Sequence, residues 1–408
     1  MKINGRMKKR YDQITSINPK VGRNINRAII LNAVREKQPI SRTRISEITG
    51  LNKSTVSNIV SSLLDEDLVK EEIVKNQVVG RNPLDLSIKR EKNFVGAIYI
   101  DSVHTTLAIV DIDGTLINKV MIETKPRDPK AFISFCLDSL KKMHLKFHSR
   151  SLRGIGISVA GIVDSVHSRV VYSSNLGWQD LDIGSIAQEN SPEIELITVE
   201  NDAKASALAE LVLGKHGIAS SNFIFLSIGT GIGAGIVVDN HILSGSSHAA
   251  GEYGHMTLIE GGEPCSCGNR GCWEMYASDR ATINYYLGRN GVKENHSEKI
   301  GAEELVALAL QGNTNAIEAL RKSAEYIGLG IANIIRTIDP QNIIIGGSVV
   351  KVWKTIYPVI MDTVYKRGFF GKQRNTFILP TSLTDNPPLL GAAALSIRKI
   401  FTDFRIVI

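Results

Sequence analysis

Near residue 93 the chain changes character, and no single core suits both parts. Upstream it reads as short helices and a hairpin on a basic background; downstream, apolar β-rich runs alternate with helices. The charge divides at the same place. Of 48 basic and 41 acidic residues in the 408-residue chain, 19 and 10 fall in residues 1–92, leaving 29 and 31 for the rest. A basic head on a near-neutral body predicts a polyanionic partner, nucleic acid above all, for the head alone. The length itself points to more than one domain.

Within the head, Ile25, Ala28, Ile29, Leu31, Ala33 and Val34 recur at helical spacing, and Pro39 stops the run. Ser41 is a good N-cap for a short second helix over 42–49, with Ile45 and Ile48 inward, and Gly50 ends it. Asn52 caps a third helix over 53–66, whose inner face carries Val56, Ile59, Val60, Leu63 and Leu64. Two helices joined by a glycine-containing turn have helix-turn-helix spacing. Runs 69–74 and 78–88 then predict a two-stranded wing with Gly80-Arg81-Asn82-Pro83 near its tip. The third helix opens on Lys53, Ser54, Thr55, Ser57 and Asn58, short polar and basic groups of the kind that reach base edges and phosphates. Arg42 and Arg44 are placed to hold phosphates, and Arg81 to enter a minor groove. A plain amphipathic helix with a solvated face would leave the basic surplus and the wing unexplained. The basic residues 1–20 fit either a solvated tail or a DNA-contacting arm.

The body reads as two similar α/β units. The first has strands over 94–100, 105–110 and 116–123, a helix over 129–147, a strand over 152–159, and a strand over 195–199 running into Glu200-Asn201-Asp202-Ala203 before a helix over 204–213. The second has a strand over 223–228, the glycine run Gly229-Thr-Gly-Ile-Gly-Ala-Gly235, a strand over 236–238, helices over 302–311 and 314–338, and a strand over 342–345. Each unit opens on antiparallel strands with a tight turn, which predicts a bilobal body with a cleft. The uncharged stretch 217–238 is glycine-rich and reads as strand, turn and strand rather than a membrane span. No apolar core follows the basic N-terminus, so no secretory signal and no membrane association are expected. Three of the four cysteines lie within eight residues, which is no disulfide framework and fits a reducing cytoplasm.

Three further constellations carry chemistry. His255, Cys265, Cys267 and Cys272 supply one imidazole and three thiolates, a complete tetrahedral set for structural zinc with no position left for water. The plainer alternative, three reduced cysteines in a glycine-rich loop, does not account for the clustering. Cys136 reads as helix core. A second set, Asn175, Asn201, Asp202, Glu252, His255 and Glu274, offers carboxylates and amides of the kind that take neighbouring hydroxyls of a polyol. Taken singly, each would pass for a surface carboxylate or a cap. A histidine with one nitrogen on zinc could offer the other to a ligand. The run Gly229–Gly235 would let a phosphate or sugar approach the backbone, although such turns also simply join hairpins.

At these residues, from about Asn24 to Ala394, the chain resembles the ROK family of repressors, open reading frames and sugar kinases, and within it the winged-helix repressor branch. The resemblance rests on Gly251-Glu252-Tyr253-Gly254-His255 and on Cys265-Ser-Cys267-Gly-Asn-Arg-Gly-Cys272-Trp273-Glu274. The segment 49–57 is similar to the heads of xylose-operon repressors. It implies a winged helix-turn-helix domain (1–90) followed by two ribonuclease-H-like, actin/hexokinase-type α/β lobes with sugar in the cleft. The first lobe would span 91–203, completed by a C-terminal helix within 388–408, and the second 204–387 with the zinc loop. Asn175, Asn201, Asp202, Glu252, His255 and Glu274 match the family's sugar-binding positions, and His255, Cys265, Cys267 and Cys272 its zinc ligands.

One departure bears on activity. Kinases of the family open on Asp-x-Gly-Gly-Thr, whereas this chain has Asp101-Ser102-Val103-His104-Thr105, with side chains where the ATP phosphates need bare backbone. Asp202, the general base in the kinases, is retained. The expectation is a non-enzymatic cytoplasmic repressor that binds double-stranded operator DNA as a homodimer or homotetramer. Its effector would be a small sugar (xylose, glucose or an amino sugar) that releases the DNA. The alternatives are a sugar co-repressor, a controlling protein partner, or an active ATP-dependent sugar kinase with a DNA-binding head.

Overall fold

The computed structural model describes residues 19–73, 84–147, 151–216, 220–288, 300–367, 376–383 and 385–402. They fall into two compact units. One comprises the described residues up to Phe94 with Ser151 and Ile397–Thr402; the other comprises the remaining described residues between Val95 and Ser396.

The first unit opens with α1 (Pro19–Lys37), β1 (Ile40–Ser41), α2 (Arg42–Thr49) and α3 (Lys53–Asp65), followed by β2 (Val69–Ile73) and β3 (Leu84–Ile88). The expected caps are in place. The Ser41 hydroxyl accepts from the Arg44 N–H at 3.2 Å, and the Asn52 carbonyl oxygen from the Thr55 N–H at 2.8 Å. Such a cap contributes about 1 kcal/mol. Gly50 closes α2 in the left-handed region (φ +71°), where a Cβ would be strained. The strands pair antiparallel in the order β1-β3-β2. Ile30, Leu31, Val34, Ile45, Val56, Val60, Leu63 and Leu86 form the buried interior. One inward assignment is corrected: Ile48 is 44% exposed on α2, and in α1 the fully buried Ile30 stands beside an exposed Ile29. The last turn of α12 (Pro387–Thr402) also belongs here. Phe401 is buried, its carbonyl accepts from the Asn32 amide at 2.9 Å, and the Arg35 guanidinium lies 4.6 Å from its ring centre. The far end of the expected wing, with Arg81, and the first 18 residues lie outside the described residues.

The second unit contains two five-stranded sheets of the same design. One has strand order β11-β7-β4-β5-β6, built from β4 (Asn93–Ile100), β5 (His104–Asp111), β6 (Leu116–Glu123), β7 (Ser151–Val159) and β11 (Ile197–Asn201). The other has order β14-β13-β12-β15-β16, built from β12 (Phe223–Ile228), β13 (Ile232–Val238), β14 (His241–Ile242), β15 (Asn342–Gly346) and β16 (Phe377–Pro380). In each, the first strand is central, the next two extend the sheet on one side, and the last two lie on the other. This shared order is the two-lobed architecture expected from the sequence. Between β7 and β11 the first lobe inserts a small antiparallel sheet, β8 (Ile162–Asp164), β9 (Arg169–Ser173) and β10 (Trp178–Asp182), with helix α5 (Ile183–Asn190). Helices α4 (Pro129–Leu145) and α6 (Asp202–Leu213) complete the elements before the second sheet. The second lobe adds α7 (Glu274–Ala277), α8 (Asp279–Tyr286), α9 (Ala302–Leu310), α10 (Thr314–Ile338) and α11 (Trp353–Arg367). Cys136 is buried in α4, as expected.

Two local differences matter for the site. The strand expected over 195–199 is β11, two residues later, and α6 begins at Asp202 instead of residue 204. Asn201 and Asp202 therefore sit at a strand-to-helix junction. The glycine run is also not one loop. Only Gly229–Gly231 form the turn; Gly233 and Gly235 are in β13, where α6 lies against the sheet. A Cβ on Gly235 would come within 2.4 Å of the Ala207 Cβ and 2.8 Å of the Ala203 carbonyl. Those glycines serve helix–sheet packing, leaving only the three-residue turn for a ligand.

Candidate metal centre, hydroxyl-binding site and DNA-binding helix

The metal set closes around a tight loop. Residues 253–255 form a single 3-10 turn that ends on His255. The loop from Cys265 to Cys272 folds on itself through the Cys265 N–H to the Asn269 carbonyl at 2.9 Å, and bridges pair Pro264 with Arg270 and Thr257 with Cys272. One ligand atom from each of His255, Cys265, Cys267 and Cys272 lies within 4.8 Å of the other three. His255 Nδ1 is 3.6 Å from Cys265 Sγ, and Cys267 Sγ is 3.7 Å from Cys272 Sγ. Burial and the adjacent Glu274 carboxylate push the Cys265 thiol up to about 12. For Cys267 burial opposes ionisation, but the Asn269 amide and the two neighbouring thiols outweigh it and hold the thiol below its usual range. Two thiols, Cys265 and Cys272, held above their ordinary range beside one held below it, next to a carboxylate and an imidazole, are a donor set that a divalent cation would unify. Trp273 anchors the loop: it is fully buried and its indole N–H donates to the Tyr326 carbonyl at 2.8 Å.

This loop also carries two of the hydroxyl-binding candidates. Glu274 Oε1 lies 3.1 Å from Cys265 Sγ and 3.6 Å from His255 Nδ1, so its carboxylate is fixed against the metal set. Its other oxygen sits beside the turn, 2.7 Å from where a Cβ on Gly231 would be. On the far side of the imidazole, His255 Nε2 is 4.0 Å from Glu252 Oε2. His255 thus turns Nδ1 to the thiols and Nε2 to Glu252.

Asp202 and Asn201 approach from α6. Asn201 is the N-cap: its Oδ1 accepts from the Ala203 and Lys204 N–H groups at 3.0 Å, and its amide donates to the Gly161 carbonyl at 2.9 Å. Most of its polar capacity is therefore spent within the fold. Asp202 accepts from the Ala203 N–H at 2.9 Å, and burial, with Asp101 and Glu252 nearby, raises its carboxyl to about 6. Desolvation by neighbouring protein likewise raises Glu252, whose side chain is still 39% exposed, against the opposing effect of His255. Asp101, Asp202 and Glu252 thus form an acidic group that gains from hydroxyl donors. Asn175 lies on the exposed turn between β9 and β10 and makes no side-chain hydrogen bond among the described residues.

Sequence reasoning passed over Lys204, a charged residue in the small-residue stretch Ala203–Ala209, which is buried and donates to the His248 carbonyl at 2.6 Å. The only signal was that lone charge in an otherwise small, apolar helix face. Asp101 closes the hairpin between β4 and β5, where the Thr124 hydroxyl donates to its carbonyl at 2.7 Å. Val103 stands 55% exposed at that hairpin, with His104 beside it also exposed.

In the head, Lys53, Ser54 and Asn58 are exposed along the start of α3, with Thr55 and Ser57 half-buried. The Ser54 hydroxyl is bound to Asn52 at 2.8 Å, whereas Lys53 has no ion pair among the described residues. Arg42 is held by Glu71 at 2.7 Å and Arg44 by Glu47 at 2.9 Å, so each must exchange a carboxylate for a phosphate to touch DNA. No helix among the described residues is long and apolar enough to cross a membrane.

Comparison with known proteins matches this division. The ROK family profile matches residues 95–399, and a winged helix-turn-helix DNA-binding profile matches residues 23–70. The chain is 33% identical over 385 residues to the xylose repressor of Bacillus spizizenii, covering 91% of this chain and 95% of that one. It is 32% identical over 265 residues to a glucokinase of Halalkalibacterium halodurans, covering 61% of this chain and 78% of that enzyme. Among solved structures, a ROK family transcriptional regulator homologous to the Escherichia coli Mlc protein superposes with a TM-score of 0.81 at 24% identity, over 94% of this chain and 98% of that one.

Proposed function

The chain belongs to the ROK family, and on that premise we propose that it is a sugar-responsive, DNA-binding transcriptional repressor of a carbohydrate-utilisation operon, with xylose as the effector. The observation that carries this reading is the near full-length likeness to a xylose repressor, head included. The head, 1–90, reads the operator through Lys53, Thr55, Ser57 and Asn58 on α3, with Ser54, Arg42, Arg44 and Arg81 on or near phosphates and the minor groove. The body, 91–203 with the C-terminal helix and 204–387, holds the sugar between Asn175, Asn201, Asp202, Glu252, His255 and Glu274. The protein acts in the cytoplasm as a homodimer or homotetramer on repeated half-sites.

His255, Cys265, Cys267 and Cys272 would hold a structural zinc ion. Bound there, zinc supplies a cross-link with no open coordination position. The residues do the rest. Glu274 and His255 are aligned by the metal loop, and His255 presents Nε2 beside Glu252. Asp202 and Glu252, both raised by desolvation, each gain from a sugar hydroxyl that donates to them. Sugar binding shifts the protein toward the state with the higher sugar affinity, and DNA is released to the extent that this state binds operator less well.

Catalysis is not part of this reading. Side chains at Val103 and His104 stand on the hairpin where family kinases have glycines, and Gly233 and Gly235 are committed to packing under α6. The test is fluorescence anisotropy of DNA fragments flanking the gene, titrated with D-xylose, D-glucose and N-acetylglucosamine. Release by D-xylose is expected. Operator affinity indifferent to every sugar would overturn sugar induction, and sugar-dependent ADP formation at ~1–100 per second would make the protein a kinase.

A further inference from the structure

Lys204 is a charged group with no part in the metal loop or the hydroxyl-binding set. It is 1% exposed and one of the largest fully buried side chains. It is the third residue of α6, where the positive end of the helix dipole disfavours a cation. A buried ammonium is costly unless it is bonded and paired. Its Nζ donates to the His248 carbonyl at 2.6 Å and lies 3.5 Å from the Ser244 carbonyl. Glu200 and Glu252 are its anionic neighbours.

Both acceptors lie on the segment that leaves β14 and runs into Glu252. This segment has few other anchors: the Leu243 N–H to the Ile236 carbonyl at 2.9 Å, internal turns at Gly245 and Ala250, and the Gly251 carbonyl to the Ala234 N–H at 3.2 Å. His248 is held at φ +60°, unusual for a non-glycine residue, and its Nε2 faces Asp164 Oδ2 at 3.6 Å. A strained residue whose carbonyl receives a buried ammonium marks a point where the backbone is held from outside the segment.

We propose that Lys204 is a positioning residue for the hydroxyl-binding site: its ammonium clamps Ser244–His248 onto the first turn of α6 and so fixes Glu252 relative to Asp202. The role in ligand binding rests on the sugar-binding reading above; the clamp itself does not. α6 then carries both halves of the arrangement, Asp202 at its first position and the anchor of Glu252 at its third.

The experiment uses the full-length, zinc-loaded protein and Lys204→Met, a linear side chain of similar size without the charge. Hydrogen exchange in the absence of sugar should speed up by about tenfold for amides 243–252 and stay unchanged elsewhere. The dissociation constants for D-xylose or D-glucose should rise by about tenfold, with metal content and sugar-free operator affinity as in the wild type. Unchanged exchange in the segment overturns the clamp. Faster exchange with wild-type sugar affinity overturns the positioning role, and faster exchange across the whole body reduces Lys204 to a structural part. If the wild-type protein binds neither sugar, the sugar reading fails, and exchange alone still decides the clamp. Should Lys204→Met not fold, Lys204→Gln takes the same measurements.

Discussion

Replacing Asp202 by Asn should stabilise the sugar-free protein. The wild-type carboxyl is raised from 3.8 to about 6, chiefly by burial and then by Asp101 and Glu252. Between those values the folded state binds more protons than the unfolded chain, so stability falls as pH rises through the window and stays lower above it. A shift of about two units at about 1.4 kcal/mol each makes the loss ~3 kcal/mol at pH 7.5 and roughly half that at pH 5. Asn keeps the acceptor for the Ala203 N–H and removes the charge. Denaturant unfolding of both proteins at the two pH values measures the difference, and titrations common to both cancel. The expected gain is ~3 kcal/mol at pH 7.5 and about half at pH 5, together with weaker sugar binding. A gain of the same size at both pH values, or none at pH 7.5, would refute the claim that Asp202 is held ionised at a cost that hydroxyl donors relieve.

Three further changes separate the sites. Cys267→Ser should abolish stoichiometric zinc, read by elemental analysis, and weaken sugar binding because Glu274 and His255 lose their common support. Lys53→Ala should weaken operator binding and lower the slope of log affinity against log salt by about 1, with sugar affinity unchanged by calorimetry. Gly330→Ala would place a Cβ 2.0 Å from Trp273, so the body should lose about 1–3 kcal/mol in unfolding and metal should dissociate more readily.

What was legible in the sequence was local. Ser41, Gly50 and Asn52 act within three or four residues of themselves, so their caps could be read directly. The metal set was legible because thiols have few other reasons to cluster. The glycine run was misread because the reason for Gly233 and Gly235 is Ala203 and Ala207, which lie far back in the chain and meet β13 only in the fold. β16 has four residues and α11 carries Pro358, so neither displays a clear period. The small sheet β8–β10 escaped notice because its strands are three to five residues long.

The strand-to-helix junction at Asn201 shows why the ligand site was only half readable. Its side chain makes three hydrogen bonds to backbone, two of them an N-cap's, so a cap and a proposed ligand residue coincide in one amide. An Asn-Asp pair after a strand is therefore compatible with either role, and sequence spacing cannot divide them. Geometry can, because Asp202 makes a single side-chain bond to the helix backbone and yet stands half-buried near two other carboxylates. A fold under no functional demand would have little reason to gather Asp101, Asp202 and Glu252. Their mutual repulsion, held in place by an N-cap on one side and a buried lysine on the other, argues that this part of the body is built around a ligand rich in hydroxyl donors.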